Sequence, residues 1–328
     1  LPQTLLGASQ TVGRSCVIVE LKNRTVMFDC GENPGFTDER KYPSFNLLVN
    51  TQGFASINNL IKKLTRINEI IDCVVVSHFH MDHIGALPFF TEVLNYKGVI
   101  IMSYPSKALS PVLLLDACKI TDFRWNQNFV DKQIHDIYKC MNKIVGLQIN
   151  ETHTLGNLSI TPYYAGHVLG ACMFKIEVNG FSVLYTGDFN TVPDKHLGSA
   201  KIPSLKPDVL ISESTYATYV RPTKKSSELE LCNYVHECMH NGGKVLIPVF
   251  AIGRKIGMQK LSKYIHNQYN INSICPTLGK KHEFSFCKYN IQYIYIHNEI
   301  FKVIQKKLQE KKQEMIGLKK NQILYVKI

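Results

Sequence analysis

Ser77-His78-Phe79-His80-Met81-Asp82-His83-Ile84-Gly85-Ala86 follows directly on the apolar run Cys73-Val74-Val75-Val76. Three histidines and an aspartate within six residues, at the mouth of a buried strand, put four metal donors within reach of one point. In extended text side chains two apart share a face, so His78 and His80 project together, and Asp82 and His83 follow on the turn into the next helix. Imidazole and carboxylate at this spacing suit zinc at about 2.0–2.2 Å. The extra aspartate–histidine pair suits a second ion roughly 3.5–4 Å away. The competing reading is an ordinary polar loop, and it fails because three crowded imidazoles are poor electrostatics unless neutral rings share a cation.

Further donors must come from other strand ends, and two have the same grammar. Tyr163-Tyr164-Ala165-Gly166-His167-Val168-Leu169-Gly170 sets a histidine between glycines, and Leu184-Tyr185-Thr186-Gly187-Asp188-Phe189 sets an aspartate after a strand. A Gly-Asp alone is more often a turn; beside the first cluster it reads as a ligand. Asp29, closing Val26-Met27-Phe28, is placed to orient a ligand from behind.

Around these motifs the first 215 residues alternate short β-branched runs with fewer helical ones. Strands are expected at 16–21, 25–29, 72–77, 98–102, 158–164, 173–178, 182–186 and 208–212, with Asn179-Gly180 as a hairpin turn. Helices are expected at about 83–95, 105–120 and 128–142, too few for a doubly wound sheet, so a layered sandwich with outer helices fits better. A boundary falls near 216–226, followed by a second α/β unit with a helix at 228–240, a strand at 244–249 and a helix at about 254–266. Beyond about 270 periodicity weakens, and residues 301–312 read as a basic amphipathic helix.

The 328 residues are 45% hydrophobic and 10% aromatic, enough for real cores. The net charge of +12 is unevenly placed: residues 1–220 carry 19 basic and 19 acidic side chains, residues 221–328 carry 19 and 7. A basic excess favours a polyanionic partner. Eight basic and two acidic residues of that excess lie in 301–328. No apolar run approaches the roughly 18–20 residues of a membrane span and no leader opens the chain, so no membrane is expected. The ten scattered cysteines read as reduced core thiols of a nuclear or cytoplasmic protein, and the opening on Leu1 reads as a fragment.

The ordered set Asp29, HxHxDH at 78–83, His167 and Asp188 resembles the metallo-β-lactamase superfamily, and Ile211-Ser212-Glu213-Ser214-Thr215-Tyr216 resembles the first motif of its nucleic-acid-handling β-CASP branch. Within that branch Gly13-Arg14-Ser15-Cys16, residues 164–171, Pro193-Asp194-Lys195-His196-Leu197-Gly198, residues 214–218 and Gly243–Phe250 are most similar to the RNA-cleaving subunits of Integrator-type complexes. Those of cleavage-and-polyadenylation-type complexes come next. The likeness covers about residues 4–260.

It implies an α/β fold: a metallo-β-lactamase αββα sandwich over 1–215, then a partial or divergent β-CASP domain with a basic tail over 216–328. It implies two Zn2+ ions, one on His78, His80 and His167, the other on Asp82 and His83, with Asp188 bridging. Asp82, Asp188 and Glu213 would be the catalytic acidic residues, Glu213 positioning a histidine acid. The implied function is a nuclear, zinc-dependent endoribonuclease of RNA 3′-end processing. Its implied partners are RNA, other subunits of the complex and a paralogous β-CASP chain.

The family places two more histidines far downstream. His266, His282 and His297 lie in text unlike those motifs, so a divergent or truncated end, or an incomplete site, stay open. The alternative function is therefore a catalytically incomplete metal-binding scaffold subunit. A small-molecule hydrolase is disfavoured by Glu213 and by the second α/β unit. The insertion at 49–68 reads as a surface helix, and His236 with His240 as a solvated helix face. His196 reads as a structural hydrogen-bonding residue, and Tyr163-Tyr164 as core in preference to base-stacking rings. Arg14, Lys244 and Arg254 stay open between phosphate contact and ordinary surface.

Overall fold

Cys16–Leu21 (β2) and Arg24–Phe28 (β3) pair antiparallel across Lys22 and Asn23, whose φ values of 44° and 68° give the tight turn whose twist matches that of the strands it joins. The computed structural model describes residues 3–49, 67–121, 127–194, 196–202 and 204–241, with the strands Lys244–Phe250, Ile274–Leu278, Ile291–Ile296 and Ile323–Tyr325. They divide into two compact units, Leu1–Thr215 and Tyr216–Ile328.

In the first unit Gln3–Gly7 (β1) pairs antiparallel with β2, and Cys73–Val75 (β4), Val99–Ser103 (β5) and Ile144–Leu147 (β6) add parallel beyond β3, giving the order β1-β2-β3-β4-β5-β6. Parallel neighbours need crossovers. The β3–β4 crossover holds the single turn Ile67–Ile70 (α1), and the β4–β5 crossover holds Met81–Ile84 (α2). The β5–β6 crossover holds Tyr104–Thr121 (α3) and Gln127–Asn142 (α4), and α3 packs on β5 and β6.

The second sheet, His153–Leu155 (β7), Leu158–Tyr164 (β8), Cys172–Val178 (β9), Phe181–Tyr185 (β10) and Val209–Ile211 (β11), runs in the order β11-β10-β9-β8-β7, antiparallel except for β10–β11. Val17, Val19, Phe28 and Val75 of the first sheet share one core with Ile160, Phe174, Ile176 and Val183 of the second, so the two sheets face each other. Phe28 stacks on Tyr185 across that core at 4.6 Å, and burying one such side chain is worth roughly 1.5–3 kcal/mol. The other face of the second sheet carries Met173 and Leu184, packed by Phe189 and Leu205.

The hairpin expected at Asn179-Gly180 forms, with φ of 50° and 77°. A methyl at Gly180 meets nothing within 4 Å, so only the left-handed backbone opposes a side chain there. Gly180→Ala should cost about 1 kcal/mol, read as a melting-temperature drop of roughly 2–4 °C.

Strand positions agree with expectation to within a residue or two at each end, and 72–77 narrows to Cys73–Val75. Strands β1, β6 and β7 were not foreseen. The helix expected over 83–95 starts earlier, at Met81, and continues past a turn at Gly85 and Ala86 into a π-helical turn Phe89–Val93. Asp82 and His83 therefore lie inside α2 rather than on a turn before it. None of the eight cysteines with described side chains forms a disulfide and most are buried, and burial pushes the Cys73, Cys140 and Cys172 thiols up to about 12, which makes these three inert core residues.

The second unit opens on Lys224–His240 (α5). Lys244–Phe250 (β12), Ile274–Leu278 (β13), Ile291–Ile296 (β14) and Ile323–Tyr325 (β15) form a parallel sheet in the order β13-β14-β12-β15. The last three strands lie in text whose periodicity had shown no element. The helices expected at 254–266 and 301–312, most of the 49–68 insertion, and His266, His282 and His297 lie outside the described residues. Among the described residues no helix is long and apolar enough to cross a membrane.

Candidate metal centre

Beyond Val75 the chain leaves the sheet, and its loop is gripped by backbone. Cys172 N–H donates to Ser77 O (3.0 Å), Ser15 N–H to Asp82 O (2.8 Å), Cys30 N–H to His83 O (2.8 Å) and Glu32 N–H to Met81 O (2.9 Å). Gly31 makes this approach possible, since a Cβ there would lie 1.6 Å from Asp82 O. His167 sits in a loop closed by Ala165 N–H on Ala171 O (3.0 Å), with Gly166 and Gly170 both left-handed. Asp188 follows Gly187, another left-handed glycine, whose Cβ would meet Ser77 Cβ at 2.5 Å. Glu213 braces that turn, its Oε1 accepting Phe189 N–H at 3.2 Å while its own N–H donates to Thr186 Oγ1 at 3.2 Å.

These three strand ends converge. One donor atom from each of His78, His80, His167 and Asp188 lies within 4.8 Å of the others. His78 Nε2 is 2.9 Å from His80 Nδ1, and His167 Nε2 is 3.3 Å from the same nitrogen. Asp188 Oδ2 faces His167 Nε2 (3.6 Å) and His78 Nε2 (3.9 Å), while Oδ1 faces His83 Nε2 (3.5 Å), itself 3.8 Å from Asp82 Oδ2. Asp188 thus divides its two oxygens between a three-histidine group and the Asp82–His83 pair.

Burial, then the neighbouring imidazoles, hold His78 well below its ordinary value; burial lowers His167 and takes His80 to about 4. These rings are neutral near pH 7, and crowded neutral nitrogens with lone pairs turned inward are the donor chemistry of a cation site. Burial opposes protonation of His83 too, yet the carboxylates of Asp29, Asp188 and Asp82 outweigh it and raise this ring. Burial favours the neutral acid at Asp188, but the hydrogen bond and charge of His83, with His167 and His80, bring it to about 2. It is an anion at any working pH.

Asp29 is fully buried, in a left-handed backbone conformation (φ 60°), and accepts His83 Nδ1–H at 2.8 Å. Two residues that sequence reasoning missed, Ser77 and Tyr185, hydrogen-bond the same carboxylate at 2.9 and 2.7 Å. A serine before the HxH and a strand tyrosine carry no signal of their own; only the fold brings them onto Asp29.

A family model described as the metallo-beta-lactamase superfamily domain matches residues 41–220. The chain belongs to the metallo-beta-lactamase superfamily. As a member of it, the chain is 49% identical over 251 residues to an Integrator complex subunit 11 homolog of Dictyostelium discoideum, covering 76% of this chain and 32% of that protein. It is 47% identical over 253 residues to Integrator complex subunit 11 of Danio rerio, covering 76% and 40%. Endoribonuclease ysh1 of Schizosaccharomyces pombe is 34% identical over 270 residues, covering 82% and 33%. The chain of this superfamily member spans about a third to two fifths of the length of these relatives.

The other singled-out residues stay outside the cluster. His236 and His240 are exposed, their rings 6.2 Å apart and stacked on α5, and no third metal donor joins them among the described residues. His196 does not make the expected bond through Nδ1, which is buried without a hydrogen-bond partner among the described residues. Tyr163 packs against the outer core of the second sheet, as expected of a core residue. Tyr164 donates to Gly198 O at 3.4 Å. Arg14 donates from Nη1 to Arg40 O at 3.3 Å, and the side chains of Lys244 and Arg254 lie outside the described residues.

Proposed function

We propose that this chain carries the two-zinc centre of a nuclear endoribonuclease of RNA 3′-end processing, acting within a multisubunit complex. The observation that carries the reading is the division of the Asp188 carboxylate, one oxygen toward His78 and His167, the other toward His83. The likeness to Integrator subunit 11 and to a named endoribonuclease supports RNA as substrate and other processing subunits, a paralogous β-CASP chain among them, as partners.

In this reading His78, His80 and His167 would hold one ion and Asp82 and His83 the second, with Asp188 offering an oxygen to each. When bound, the ions would supply Lewis acidity to a phosphodiester oxygen and acidify an attacking water. The protein's part is to hold the donors rigid through the backbone grip on residues 77–83 and to keep Asp188 ionised. Glu213 holds the Asp188 turn through Phe189 N–H and stands ready to place a proton donor near the leaving group. Residues 216–328 are read as part of a β-CASP domain whose 19 basic side chains beyond residue 220 favour RNA phosphates.

The test is metal removal. Exhaustive chelation should abolish cleavage of a labelled single-stranded RNA by the full-length protein, Zn2+ should restore it, and elemental analysis should find two ions per chain. Cleavage that survives chelation, or no bound ion, would sink the reading; two ions without cleavage would leave the scaffold alternative standing.

A further inference from the structure

Tracing each proton around Asp29 shows what Ser77 and Tyr185 do. Asp29 Oδ1 accepts Ser77 N–H at 2.7 Å. Its Oδ2 accepts the Ser77 hydroxyl at 2.9 Å, His83 Nδ1–H at 2.8 Å and the Tyr185 hydroxyl at 2.7 Å. A carboxylate oxygen has about two lone-pair positions, so the three donors on Oδ2 hold this side of Asp29 fully engaged. The Ser77 hydroxyl has a single proton and gives it to Asp29. Toward His78 Nδ1, 3.0 Å away, Ser77 Oγ can therefore only accept. His78 must carry its proton on Nδ1, which leaves the Nε2 lone pair facing His80 and Asp188. His83 is held the same way by Asp29 itself, with Nε2 toward Asp188 and Asp82. His78 and His83 belong to the two different halves of the centre.

We propose that Tyr185 and Ser77 are positioning residues of the metal centre: Tyr185 locks the Asp29 carboxylate, which fixes His83 directly and His78 through Ser77, so that one buried anion aims one imidazole in each half. The inference rests on the reading that the cluster binds metal. Tyr185 suits the task because it is buried on β10, three residues before Asp188, with its ring stacked on Phe28. Gly187 then brings the Asp188 turn against Ser77. A residue that orients a ligand typically changes metal affinity by about 10–100-fold.

Long-range 1H–15N NMR on the metal-free chain, with zinc affinity by competition against a chromogenic chelator, tests this. The unaltered protein should show slowly exchanging Nδ1 protons on both His78 and His83. Ser77→Ala should remove that signature from His78 and leave it on His83, weakening one ion by about 10–100-fold. Tyr185→Phe, which keeps the ring stack, should broaden both Nδ1 protons and weaken both ions by about tenfold. Nδ1 protons unchanged in both variants, or zinc affinities within twofold of the unaltered protein, would overturn the proposal. Should Ser77→Ala fail to fold, Tyr185→Phe decides alone. Intact Nδ1 protons in a chain that binds no zinc would sink the metal reading instead, so the two failures are distinct.

Discussion

Asp188→Asn should leave the fold standing, reduce the bound zinc from two ions to one at most, and lower RNA cleavage by the full-length protein by roughly 10²–10³-fold or more. Among the described residues Asp188 is the group whose two oxygens face both donor sets, at 3.6 and 3.9 Å on one side and 3.5 Å on the other. An amide keeps the shape and loses the charge. It also turns an N–H2 group toward one set of ring nitrogens, where an acceptor had been. Asp188 is not part of the hydrophobic clusters of the two sheets, so the largest loss falls on metal and chemistry. Asp82→Asn should resemble it in cleavage while sparing the three-histidine ion, since Asp82 Oδ2 faces His83 Nε2 at 3.8 Å, in the other half of the centre. Elemental analysis beside a gel-based cleavage assay reads both variants. Two retained ions with unchanged cleavage in Asp188→Asn would remove the bridging role.

What could be read from sequence here was set by how locally each feature is encoded. His78, His80, Asp82 and His83 are contiguous and follow an all-apolar strand, so the cluster announces itself. His167 and Asp188 are single residues after strands and gained meaning only beside that cluster. The strand expected over 72–77 ends two residues early for a physical reason. Val76 N–H still reaches Ile101 O, but Ser77 N–H turns to the Asp29 side chain, so pairing stops where the site begins. The expected 83–95 helix is interrupted at Gly85 and Ala86, where His83 O accepts Cys30 N–H and Ala86 N–H donates to Cys30 O instead of extending α2. Strands β1 and β6 are short and amphipathic or glycine-broken, QTLLG and IVGL, and gain their stability from neighbours the sequence does not display. The Ser77–Asp29–Tyr185 network joins residues up to 156 apart, with no local pattern to betray it.

Gly31→Ala should be among the most damaging single changes in the first unit, and for a different reason from Asp188→Asn. The added methyl would lie 1.6 Å from Asp82 O, 2.2 Å from Asp82 C and 2.7 Å from Ser15 N, all backbone atoms that cannot rotate away. The segments must part, and the bonds from Ser15 to Asp82, Cys30 to His83 and Glu32 to Met81 go with them. At about 1 kcal/mol each these bonds alone amount to roughly 3 kcal/mol, before any penalty for buried groups left unpaired. A melting-temperature fall of about 6–12 °C should follow, against the small drop at the open Gly180. Because the same bonds hold the backbone of Asp82 and His83, zinc affinity should fall in the fraction that still folds. Stability and metal binding are then lost together at Gly31 and separately at Asp188. A Gly31→Ala protein that melts within about 2 °C of the original and keeps both ions would show that the grip on residues 81–83 does not fix the centre.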